Sequence, residues 1–151
     1  MPTSRTDVLA ELVRSKLVCL EQLHELGRRQ YDLIERDDMT TLLDVLAGKQ
    51  RTLMTLQQIE RGLDPFRGED PQQRQWPTPQ QRQTCSGQLD RCEALLDEIV
   101  QQEKRSEQEL VRRRDRVASQ LQGAHLACQA RGAYTAETSQ NVNQLDLLSE
   151  T

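Results

Sequence analysis

The chain has 151 residues, enough for one domain, yet hydrophobic residues make up only 35% of it and aromatics number four: Tyr31, Phe66, Trp76 and Tyr134. This mostly leucine supply is too thin for a broad globular core and suits an extended helical bundle or coiled coil, in which each helix needs one apolar stripe. A formal net charge of −4 excludes a global pull toward nucleic acid or an anionic membrane, and no run approaches the ~20 apolar residues that span a bilayer.

The N-terminal stretch "MPTSRTDVLAELVRS" is cut by Asp7, Glu11 and Arg14 and so lacks the apolar region of a signal peptide. A soluble, cytoplasmic protein is expected. From Thr6 to Glu35, Leu9, Leu12, Cys19, Leu23, Leu26 and Leu33 recur at helical steps, and Val13, Leu17, Leu20, Tyr31 and Ile34 form a second stripe beside them. Two adjacent stripes make a face wide enough for two neighbouring helices. Asp37 and Asp38 then break the helix and offer N-caps for the next one. That helix is expected from about Met39 to Arg61, with Met39, Leu42, Leu46, Leu53, Leu56 and Ile59 on one face and Gly62 as its stop. So short a connection predicts an antiparallel hairpin over residues 1–63.

Residues 64–80 contain four of the five prolines and read as a linker. Phe66 and Trp76 are expected to dock on the bundle and pin it, the alternative being an exposed aromatic patch. A third, long helix is expected over residues 81–130. Its stripe is Cys85, Leu89, Cys92, Leu96 and Ile99, then polar Glu103 and Ser106, then Leu110, Val117, Leu121, Ala124 and Cys128. The four cysteines have no CxxC spacing and read as small buried hydrophobes. The basic cluster Arg112, Arg113, Arg114 and Arg116, interrupted by Asp115, reads as a solvated helix face with Glu109 paired to Arg113. Stacking aromatics for nucleic acid are missing. Gly132 is expected to cap the helix, leaving 131–151 as a flexible tail in which Val142, Leu145 and Leu148 could line a short helix formed on binding.

At 1.5 Å per residue the third helix would be roughly 75 Å long, against about 45 Å and 35 Å for the first two. The stretch from Leu110 onward then has little cover from its own chain, although Leu110, Val117, Leu121 and Cys128 share a face. Such a stripe serves a partner, pairs with its counterpart in a second copy, or disappears if the helix breaks near Arg112–Arg116. No constellation of residues supports an enzyme, a cofactor or a metal: His24 and His125 lie on different helices, and neither a phosphate loop nor HExxH nor GxSxG occurs.

The run "LIERDDMTTLLDVLAGKQRTLMTLQQIERGLDPFR" (33–67) resembles the hairpin turn and second helix of flagellar export chaperones of the FlgN type. The stretch "ACQARGAYTAETSQ" (127–140) is similar to the end of that family, where the long helix gives way to a tail opening on a tyrosine. The similarity covers roughly residues 7–140 and lies in the order and proportions of the elements; the leucine-containing segment from Val142 to Leu148 departs from it. The resemblance implies an all-α cytoplasmic chaperone of the flagellar type III secretion system, one that holds hook-associated (hook–filament junction) proteins and delivers them to the export gate. It implies a client surface at Leu110, Val117, Leu121 and Cys128, and contact of Tyr134 with the export-gate membrane protein. The alternative is a dimeric coiled-coil scaffold or adaptor using the same stripe.

Overall fold

The computed structural model describes residues 4–149, with side chains for residues 4–138. It is all-α: helix α1 spans Arg5–Glu35, α2 Met39–Arg67 and α3 Pro79–Ser149, with one 3-10 turn at Pro71–Gln73. The chain divides into two compact units, one ending at Glu109 and one beginning at Leu110.

Local chemistry explains where the first two helices begin. The Ser4 hydroxyl accepts from the Asp7 N–H at 3.2 Å and the Asp7 carboxylate accepts from the Ser4 N–H at 3.4 Å, a capping box that starts α1. At the break, Asp37 takes a left-handed φ of 57°, which a short polar side chain tolerates better than most. Asp38 is the N-cap of α2 and accepts from the Thr41 N–H at 3.1 Å. Hydrogen bonding from Thr41 holds its carboxyl below the usual aspartate value.

The core of the first unit has two clusters. Leu9, Val13 and Cys19 of α1 meet Ile59, Leu63 and Phe66 of α2 and Cys85 of α3, with Leu12, Leu56 and Trp76 packed alongside. Further along, Leu20 and Leu23 of α1 meet Cys92 and Leu95 of α3, with Leu17, Leu56 and Ile99 alongside. Phe66 and Trp76 therefore both dock, as expected, but Phe66 does so from the last turn of α2. The rest of the connection is tied down by polar contacts. Arg5 pairs with Glu69, lies 4.7 Å from the Phe66 ring centroid and donates to the Pro65 carbonyl at 3.2 Å. Arg74 donates to the Phe66 carbonyl at 2.8 Å, and Thr6 to the Gln75 carbonyl at 3.0 Å.

Three boundaries differ from the expectation. Gly62 does not stop α2; it lies inside the helix, where an added Cβ would come within 3.0 Å of the Leu12 side chain. Its missing side chain lets α1 approach, and the helix continues so that Leu63 and Phe66 reach the core. The linker accordingly begins after Arg67. Nor does Gly132 cap α3, which runs on to Ser149. No glycine takes a positive φ, and a glycine in a helix costs only about 1 kcal/mol, which the flanking alanines 130, 133 and 136 offset.

The inward edge of α3 also differs. Cys85, Cys92 and Ser106 are buried, but the buried leucine is Leu95, at 1% exposure, rather than Leu96, at 36%. Leu89 is exposed as well. On α2, likewise, Leu42 and Val45 are buried whereas Met39, Leu46 and Leu53 are exposed. Glu103, read as a polar gap, pairs with Lys49 of α2. Lys49 is buried at 8% exposure and donates to the Gln30 side chain of α1 at 2.7 Å; desolvation lowers its pKa. One polar layer thus joins all three helices of this unit.

Leu95→Ala is expected to lower stability by about 2–5 kcal/mol, the range for a buried leucine. Leu96→Ala should cost clearly less, since Leu96 is already 36% exposed against 1% for Leu95. Urea unfolding of both variants reads the difference, and equal losses would mean that the inward edge is misassigned.

Candidate functional site

The second unit is helical for reasons internal to its sequence. Residues 110–138 are rich in alanine, arginine, glutamine and leucine, all good helix formers, and contain no proline. Of the side chains described from Leu110 onward, none is buried. Leu110, Val117, Leu121 and Cys128 are all exposed, Val117 at 52% and Leu121 at 66%. At 100° per residue these four fall within about 40° of one another. The stripe expected from the sequence therefore exists, on a helix that continues through Arg112–Arg116 without the break weighed above.

Tyr134 lies in the same helix rather than beyond its end, and is 73% exposed. Its ring leaves the helix roughly 120° round from the stripe and about 9 Å past Cys128. Thr138 donates its hydroxyl to the Tyr134 carbonyl at 2.9 Å, a contact that involves the backbone and leaves the ring unused. Stripe and tyrosine are two separate features on different sides of one helix. Val142, Leu145 and Leu148 lie outside the described side chains.

Sequence periodicity misses several exposed apolar residues. Val111 and Leu126 are exposed off the stripe, and in the first unit Leu89, Leu96 and Val100 form an exposed flank of α3. The only signal for the flank is the doublet Leu95-Leu96: one leucine can face inward and the other cannot. Arg114 pairs with its neighbour Asp115 at 3.4 Å, both largely exposed. Among the described residues, no group of three His, Cys, Asp or Glu side chains could hold a metal ion, and no helix is long and apolar enough to cross a membrane.

The cysteines divide in the same way. Cys19, Cys85 and Cys92 are buried, as expected, and burial pushes their thiols up, which makes them poor nucleophiles. Cys128, expected to be buried like them, is exposed because its turn of helix is uncovered.

Compared with family models, curated proteins and solved structures, the chain matches none.

With a thiol reagent such as DTNB, one cysteine should react rapidly in the native protein and all four in urea. Cys128→Ser should abolish the rapid phase. A rapid phase that survived this change would mean that one of the three core thiols is open to solvent.

Proposed function

We propose that this chain is a cytoplasmic chaperone of the FlgN type, which holds the helical terminal segment of a flagellar hook-associated protein and delivers it to the type III export gate. The observation that carries the reading is the stripe Leu110, Val117, Leu121 and Cys128, exposed along one face of a helix. It is supported by the resemblance of residues 33–67 and 127–140 to that family. A solvent-facing apolar stripe on a helix suits helix-in-groove recognition, in which a client lays its own apolar face against anchors at helical spacing.

No catalysis is needed. A client terminus that would otherwise self-associate buries its apolar face on the stripe, about 600–800 Å² on each side, a standard-sized interface. A few anchors then set the affinity rather than the area. Tyr134, on a different side of the helix, would stay accessible while the stripe is occupied, which suits a separate contact with the gate.

The test is capture of a purified terminal segment of a hook-associated protein. Leu110→Asp, Val117→Asp and Leu121→Asp together should weaken capture by more than about 30-fold, as loss of an anchor worth about 2 kcal/mol or more requires, with unchanged helical circular dichroism. Undiminished capture by the triple variant would remove the client surface. Tyr134→Ala should leave the melting temperature and client capture unchanged while reducing secretion of the client. A drop of several degrees would instead mean that the ring packs in the fold.

A further inference from the structure

Leu89, Leu96 and Val100 in the first unit and Leu110, Val117 and Leu121 in the second are exposed and follow a common heptad count in the sequence. Counting in sevens, Leu89, Leu96, Glu103, Leu110 and Val117 share one heptad position, and Val100, Glu107, Arg114, Leu121 and Cys128 share the position four further on. In the sequence the two series share a 4–3 register, a seam apolar toward its two ends and charged at Glu93, Glu103, Glu107 and Arg114. In the first unit the seam is the flank carrying Leu89, Leu96 and Val100, about a quarter turn from the buried edge of Cys85, Cys92 and Leu95. In the second unit it is the stripe carrying Leu110, Val117 and Leu121.

Read backwards from Cys128, the seam repeats the spacing that it has forwards from Leu89. Leu89, Leu96, Val100 and Glu107 are separated by steps that match those between Cys128, Leu121, Val117 and Leu110 taken in reverse. Any heptad register reads the same in both directions, so this one permits a second copy turned end for end about a two-fold axis, and the side chains decide whether that pairing is favoured. We infer that the occupant of the stripe is a second copy of this chain: the first-unit flank of α3 in one copy lies antiparallel on the second-unit stripe of the other, with Leu96 facing Leu121 and Val100 facing Val117.

Charge selects the same arrangement. Residues 89–107 carry six acidic and three basic side chains, and residues 110–128 carry four arginines and one aspartate, so antiparallel pairing lays a net acidic segment on a net basic one. Within the seam, Glu103, half-exposed and also paired with Lys49, comes opposite Arg114. Glu107 comes opposite Leu110 and next to the partner's Arg114. Parallel pairing in register would instead set Glu93, Glu103 and Glu107 each against its own copy, which like-charge repulsion opposes. Sliding the antiparallel pair by one heptad sets Glu103 on Glu107, or else Leu110 on Arg114. Each half of the interface needs only the first unit of one chain and the second unit of the other.

The stripe is the client surface proposed above, so on that reading client and second copy compete for it, and the dimer is the client-free form. The pairing itself stands or falls independently of that reading.

The test uses the full chain carrying Cys128→Ser, which leaves only buried native thiols. Leu96→Cys and Leu121→Cys are introduced separately; both sites are exposed, so folding is spared. After mild oxidation, non-reducing gels should show a disulfide-linked dimer in the mixture of the two variants and none in either alone. The unmodified chain should sediment as a dimer at micromolar concentration, and Val117→Glu should convert it to a monomer. Self-linkage of either single variant, a mixture that fails to link, or a monomeric unmodified chain would overturn the pairing. Adding a terminal segment of a hook-associated protein separates the two ideas. A linked mixture that the segment neither binds nor dissociates keeps the pairing and sinks the chaperone reading.

Discussion

The contact of Leu20 and Leu23 on α1 with Cys92 and Leu95 on α3 decides which edge of the long helix folding uses up. Once Leu95 and Cys92 point inward, the turn geometry of the helix leaves Leu89, Leu96 and Val100 on a flank that faces water. The two consequences cannot be separated, since rotating α3 to bury Leu96 would withdraw Leu95 and break the cluster. The small side chain of Cys92 matters here because it fills the space between larger leucines without forcing α3 away from α1. The hydrophobic content of the chain is spent on this narrow seam and on the Phe66 end. Large side chains elsewhere on α3 remain exposed for that reason.

The polar layer of Gln30, Lys49 and Glu103 contributes more to register than to net stability. A buried ammonium is desolvated at a cost that its partners roughly offset, and the lowered pKa of Lys49 reports that cost. Sliding α3 by one turn so that Ile99 takes the place of Glu103 would leave Lys49 without that carboxylate, and a buried unpaired charge is strongly unfavourable. Leucines tolerate such a slide, because one leucine can replace another. The layer therefore supplies the discrimination that a leucine seam lacks. Nearby, Gln102 donates to the His24 carbonyl at 3.0 Å beside Gly27, where a Cβ would collide with the Gln102 side chain, so α1 and α3 are held close at a second polar point.

Much of this architecture is legible in the sequence. Three helices in order follow from leucine spacing and from the Asp37-Asp38 break, whose chemistry is local. The choice between Leu95 and Leu96, between Leu42 and Leu43, or between Val45 and Leu46 is not legible, because apolar residues stand side by side and a 3.6-residue period can be drawn through either. Only the neighbouring helix decides. Lys49 reads as a surface lysine until a carboxylate and an amide meet it from two other helices. Gly62 and Gly132 mislead for another reason: a glycine in a helix is a cost of about 1 kcal/mol rather than a stop, and contacts or alanine neighbours outweigh it. The stripe from Leu110 to Cys128 is legible as a face. Its exposure is hinted at only by the unequal helix lengths, since periodicity reports that an apolar side exists without reporting what covers it.

The geometry of α3 also separates the proposed roles along its length. The antiparallel seam ends at Cys128, opposite Leu89 of the second copy, whereas Tyr134 lies about 9 Å further along the axis and roughly a third of a turn away. A ring so placed is outside the paired span and off the paired face, so its accessibility does not depend on whether the stripe holds a client or a second copy.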